Sequence, residues 1–388
     1  MDYKIYKDTK ERLNSLILVL FIFLPIITFP INKNIGNGKV MWFLLGILVL
    51  SSLLINRTIN KKLAVIMYII TIMYLINMLL VKDKSDIIYR YLMFIRYGAI
   101  AMYLSLLKIN YKMVIKYWNI MSSISFIIMN LYISYFQQTK GYMDLGINLT
   151  YVFIGFILYF YTYNKNIITW LLIFITLIEV IVLGNRSSAV ICIIILLYFI
   201  INNIDYKNLY RKMIKSLIII ATMISAYIYM PYILKCLSYI LSKLNIVSYS
   251  ITKFINTLNT GGINGIIEQS SGRGEIYKLS FDLIQSVNFM PRGVGYFTEK
   301  TGIIYPHNIF IQVMIEYGII GEILFITILI LLFVKFLKLR NKNLYFNNIV
   351  ITLAIYSLIR LLFSGNYWEE SVFWITFSMV IGKSKNDI

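Results

Sequence analysis

Four side chains able to hold an anion or accept a proton stand at turns between apolar runs. They are Arg186 in GNRSS, Arg273 in SSGRGEIYKLSFDLI, Arg292 in PRGVGYF, and His307, the one histidine, in YPHNIFIQVMIEYGIIGE. Arginine suits phosphate because its planar fork donates two parallel hydrogen bonds. A neutral imidazole can take a proton from a hydroxyl, as a general base must. Ser270, Ser271 and Gly272 read as a helix start with Glu275 in the first turn and Ile276, Leu279 and Leu283 on one face. Arg273 would then add its charge to free backbone N–H groups. Gly293-Val294-Gly295 beside Arg292 permits a close backbone approach. His307 follows Pro306, so it is expected in the opening turn of a helix, where the dipole favours the neutral ring. Each residue also has a plainer reading: a snorkelling arginine, a solvated loop cation, an interfacial histidine.

Several chemistries are not indicated. No paired-acid motif and no His/Cys cluster suggests a catalytic metal, no Walker motif suggests direct use of ATP, and no Ser-His-Asp or GxSxG pattern suggests hydrolysis. Cys192 and Cys236 are too few for a disulfide framework and read as small hydrophobes.

The elements that position these residues belong to a membrane protein. Of the 388 residues 59% are hydrophobic and only 14% charged, and the mean hydropathy is +0.76. That leaves too little polar surface to cover a soluble core. Apolar runs predict an all-α, polytopic protein of about twelve transmembrane helices: 13–31, 40–56, 63–81, 87–107, 113–136, 145–163, 167–184, 188–203, 213–232, 307–334, 346–363 and 371–382. The first run follows Lys4, Lys7, Lys10 and Arg12 without a small-residue cleavage site, and is read as a retained span. Basic residues gather on one side, as at Lys207, Arg211, Lys212 and Lys215 or Lys335, Lys338, Arg340 and Lys342. That asymmetry places both termini in the cytoplasm and makes the net charge of +20 a matter of topology, with no call for nucleic acid.

The organisation follows: residues 1–232 carry helices one to nine, 233–306 form one large extracytoplasmic loop, and 307–388 carry helices ten to twelve. A connection of that length is usually functional. Its first half is amphipathic and could lie along the interface. The glycines at 318 and 321, below His307, are expected to let a neighbouring helix approach. Glu179, two turns before Arg186, could hold that arginine. Glu316, Glu322, Arg90, Arg96 and Arg360 fall inside spans and are expected to pair, with partners open.

His307-Asn308, nine residues, Gly318, two residues and Gly321 together resemble the signature of O-antigen ligases and the related Wzy-type polysaccharide polymerases. GNRSS resembles the family's arginine element at an outer helix end, GRGEIYKLSFDLI the loop element in which an arginine precedes an aromatic (here Tyr277) by four residues, and RGVGYF the element before the histidine. Tyr277 stands where ligases often have Trp, and Ser187 where they often have Gly.

The resemblance covers the C-terminal half and implies a metal- and cofactor-independent glycosyltransferase of the bacterial cytoplasmic membrane. Its substrate would be an undecaprenyl-diphosphate-linked oligosaccharide, its active site extracytoplasmic, and a flippase and a chain-length regulator its further partners. By that resemblance Arg186 and Arg273 stabilise the diphosphate leaving group and His307 activates the acceptor hydroxyl. Arg292, Asn308 and Tyr277 join the arginines in binding substrate. A polymerase is favoured over a ligase that uses lipid A core, since the chain is small and its Ile/Lys/Asn/Tyr bias suggests a low-GC source without that acceptor. A flippase is the rival from another class. A cell-wall glycan polymerase would have to use Glu275 or Asp282 as its loop acid.

Overall fold

The structure, a computed structural model, describes residues 2–35, 38–57, 60–81, 84–138, 141–202, 273–340 and 343–383, with scattered residues between 229 and 255. Every regular element among the described residues is helical. In chain order these are α1 (Asp2–Ile35), α2 (Lys39–Asn56), α3 (Lys61–Leu80), α4 (Lys84–Met93), a π-turn (Phe94–Ala99), α5 (Ile100–Leu106), α6 (Tyr111–Leu131), α7 (Ile133–Gln138), α8 (Tyr142–Thr162), α9 (Ile167–Leu183) and α10 (Arg186–Asn202). After the long connection come α11 (Arg273–Ser286), α12 (Tyr296–Thr301), α13 (Ile309–Leu339), α14 (Leu344–Phe363) and α15 (Ser371–Gly382).

Among the described residues seven helices are long and apolar enough to cross a membrane: α1, α2, α3, α6, α8, α13 and α14. The chain is a polytopic α-helical membrane protein. Three further expected spans are apolar helices too short for that test, α9, α10 and α15. The expected span 87–107 is the run α4, π-turn, α5. The span 213–232 lies almost wholly outside the described residues, and so does more than half of the amphipathic part of the long loop.

Asparagine starts many of these helices. The Asn60, Asn110, Asn166, Asn185, Asn308 and Asn343 side chains each accept a backbone N–H two or three residues on, capping α3, α6, α9, α10, α13 and α14. A carbonyl oxygen at the cap satisfies one of the amides that the first helical turn leaves free.

The chain divides into two compact units, residues 1–121 with 275–388, and residues 122–274. In the first, Asn14 and Asn56 exchange amide hydrogen bonds of 3.1 and 2.9 Å, tying α1 to α2, and Asn14 also donates to the Lys108 carbonyl. Trp118, almost fully buried, meets the Phe23 ring edge-on at 5.9 Å. At the C-terminal end of α15, Lys335 and Lys62 donate to the carbonyls of Ile381 and Gly382 and Lys383 to that of Leu107. Cations belong there because the last carbonyls of a helix carry its negative pole.

In the second unit, α8 lies against the junction of α9 and α10. A Cβ on Gly146 would sit 2.7 Å from the Asn185 backbone nitrogen and 3.0 Å from Gly184 Cα. Tyr161 and Phe199 stack at 5.0 Å between α8 and α10. Replacing Gly146 with Val should therefore wedge this unit apart at a cost of about 1–3 kcal/mol. Thermal unfolding in detergent checks it; an unchanged midpoint would contradict the close approach.

Candidate functional site

His307 lies just outside the helix expected to contain it. Its φ of 58° is left-handed, which no helical residue adopts, and Asn308 is extended (φ −151°, ψ 124°). The Asn308 side-chain Oδ1 accepts from the amides of Phe310 and Ile311, so α13 begins at Ile309. Pro306 therefore ends the incoming loop instead of opening the helix. The His307 ring lies against Tyr305 (centroids 4.4 Å apart), whose hydroxyl donates to the Ser364 carbonyl at 2.8 Å. A non-glycine residue at positive φ costs about 1 kcal/mol or more and persists only where its surroundings hold it.

Three turns below, α13 breaks at Gly318 (φ 67°, ψ −170°). The approach expected of a neighbouring helix is made instead by the loop after α11. A Cβ on Gly318 would fall 2.6 Å from the Phe289 carbonyl oxygen and 2.8 Å from the Pro291 nitrogen. The carbonyls freed by the break accept from this loop, Ile315 from the Arg292 amide at 3.3 Å and Glu316 from the Gly293 amide at 2.8 Å. The Ile319 amide in turn donates to Phe289 at 3.1 Å. A Cβ on Gly321 would overlap the Tyr317 side chain. Gly293 and Gly295 both have φ of 92°, which gives the PRGVG turn its shape, and the Val294 amide donates to Asn77 on α3. The Arg292 side chain is exposed, while its backbone is fastened to the break.

Glu316 anchors a buried polar cluster at the same level. Its carboxylate accepts from Gln312 (2.8 Å), Tyr367 (2.5 Å) and the Trp368 indole (3.4 Å), and Gln312 also donates to Asn366. Asn308, Gln312 and Glu316 recur every fourth residue in an apolar run, a polar stripe visible in the sequence. Tyr367, Trp368 and Asn366 come from the connection between α14 and α15 and carry no such periodic signal. In that connection Glu370 pairs with Arg360 at 3.5 Å. Burial pushes the Glu370 carboxyl above the usual carboxylate range, with Arg360 opposing. Burial likewise raises the Tyr367 phenol. Arg96, on the π-turn, lies over the ring of Trp42. Beside the break an apolar cavity of about 580 Å³ is walled by α3, α13 and α15, with Tyr317, Tyr367 and Trp368 on its lining.

The two arginines singled out for the leaving group each open a helix. Arg186 is the first residue of α10, directly after the Asn185 cap, and half-buried; Arg273 is the first residue of α11. Glu179 lies on α9 and is half-buried. On α11 the buried positions are Ser280 and Ile284, with Ile276 and Leu283 packed beside Phe297 and Ile315. Leu279, expected on that face, is 45% exposed. Tyr277 is partly buried. Arg186 and Arg273 belong to the second unit; Tyr277, Arg292, His307 and Asn308 belong to the first.

No family model matches the chain, and no curated protein matches it.

Two substitutions test this local geometry. Asn308→Ala should cost about 1 kcal/mol by removing the cap, and Asn308→Asp should restore most of it. Gly318→Ala should destabilise more, since it combines the wrong φ with a backbone clash. Unfolding midpoints of the purified variants give the order; equal tolerance at 308 and 318 would refute it.

Proposed function

We propose that the protein is a metal-independent glycosyltransferase that polymerises undecaprenyl-diphosphate-linked oligosaccharide repeats on the outer face of the cytoplasmic membrane. One observation carries the reading. The residues of the H-N-x9-G-x-x-G pattern that suggested the family each stand at a distinct local feature: His307 at a left-handed φ, Asn308 as cap, Gly318 at the break, Gly321 against Tyr317. A chance match of letters would not be expected to fall on four such positions.

The chemistry follows from the side chains. As the anomeric bond breaks, negative charge grows on the diphosphate, and fixed cations stabilise it more than they stabilise the ground state. Arg186 and Arg273 fill this role, each standing where free helix N–H groups add to its charge. His307 takes the proton of the acceptor hydroxyl, with its ring steadied by Tyr305. The apolar cavity beside the break suits the hydrocarbon part of such a substrate. Both termini are cytoplasmic in this reading.

The test is to supply purified protein with lipid-linked repeat units. A ladder without a second acceptor is expected. Product formed only with lipid A core would mean a ligase, and transport without elongation a flippase. His307→Ala should lower polymer by at least about 10²-fold at unchanged protein level. Arg186→Lys and Arg273→Lys, which keep charge and lose the fork, should each lower it by more than about tenfold. Full-length polymer in the His307 variant would remove the base assignment.

A further inference from the structure

Arg90 stands in a run first read as a span, where a charge needs a purpose. It is 4% exposed, and its Nε donates to Asp86 at 2.7 Å, one turn earlier on α4. Its Nη2 donates to Thr298 Oγ1 at 2.6 Å and to the Ile304 carbonyl at 3.1 Å. Thr298 also donates to that carbonyl, at 3.0 Å. One guanidinium thus holds α12 and the strand of loop after it, three residues before His307.

The PRGVG turn is shaped around this clamp. A Cβ on Gly295 would lie 2.5 Å from Asp86 Oδ2, so only glycine leaves the carboxylate room to orient Arg90. Beyond Ile304 the chain runs through Tyr305, tied to Ser364, into the left-handed His307. The loop is therefore held at its start by the Gly318 break, at Val294 by Asn77, and at its end by Arg90 and the Tyr305–Ser364 bond.

We propose that Arg90 is a positioning residue for His307, a role that rests on the acceptor-activating function proposed above. The fork matters as much as the charge: Nε faces Asp86 while Nη2 serves the loop, and a lysine ammonium cannot reproduce that planar arrangement. The imidazole is held indirectly, through the backbone that delivers it. A misplacement of about 1 Å at a reacting group can cost on the order of 10²-fold in rate.

Two measurements on the full chain in lipid nanodiscs test this. By hydrogen exchange, Arg90→Lys and the milder Thr298→Val should speed exchange at residues 298–308, by about tenfold for Arg90→Lys, with α13 below the break unaffected. Unchanged exchange at 298–308, or faster exchange throughout the first unit, overturns the clamp. In the polymer assay Arg90→Lys should lower kcat by about 10–100-fold with KM for the lipid-linked repeat within about threefold. In a His307→Ala background it should cause no further loss. Multiplying losses would show that Arg90 acts other than through His307 and would overturn the proposal. Exchange reads the clamp whether or not the chain polymerises. Loosening at 298–308 in a protein that makes no polymer would sink the enzymatic reading alone.

Discussion

The break of α13 at Gly318 imposes the constraint on which the rest of the first unit depends. A helix that crosses lipid satisfies its own backbone, and one that breaks there leaves amides and carbonyls that hydrocarbon cannot bond. Here the bonds go to one loop: Phe289, Arg292 and Gly293 meet Ile319, Ile315 and Glu316. Irregular backbone at such a position is tolerated where protein covers it, and the loop after α11 is that cover. The loop is consequently an integral part of the packing, with Val294 fully buried and Phe297 in a cluster with Ile284 and Ile315.

Fixing the loop has a consequence at its other end. Its residues run on through α12 to Tyr305, Pro306 and His307, so the segment that covers the break also carries the histidine. Glu316 serves both: its backbone carbonyl takes the loop, and its carboxylate gathers Gln312, Tyr367 and Trp368. A buried carboxylate without such donors would be costly, and three of them with Arg90 within electrostatic reach make it tolerable. The connection between α14 and α15 is thereby drawn into the same cluster, and Tyr305 reaches it again at Ser364.

Hydropathy made the membrane class and most helices legible, because about 20 apolar residues in lipid have few alternatives to a helix. Gly293-Val294-Gly295 permitted a close backbone approach, and Gly295 makes one, against Asp86. The role of Gly318 was not legible. Gly318 and Gly321 at helical spacing read as a packing face for a neighbouring helix, and only the docked loop reveals the break. The partners of Glu316 and Arg90 were hidden for a simpler reason. Asp86 lies four residues from Arg90, but Thr298 and Ile304 lie more than two hundred away, and local spacing says nothing about them. Leu279 was misassigned because a stripe through Ile276, Ser280 and Ile284 fits the same helical period. Arg186, Arg273 and His307 were grouped by the resemblance alone; the arginines belong to the second unit and the histidine to the first.

His307 itself gives the last piece of the argument. At φ 58° a glycine or an asparagine would be the more stable choice, the first because it has no Cβ, the second because it tolerates the left-handed region. A chain rich in asparagine, which uses that residue to cap six helices, has the stabilising alternative readily at hand. It places its single imidazole there instead, against Tyr305 and directly before the Asn308 cap. A side chain at left-handed φ persists where its surroundings hold the backbone. Arg57, Asn288 and Phe289 also stand at positive φ, so the angle fixes where the imidazole is delivered, and the chemistry proposed for it rests on the ring.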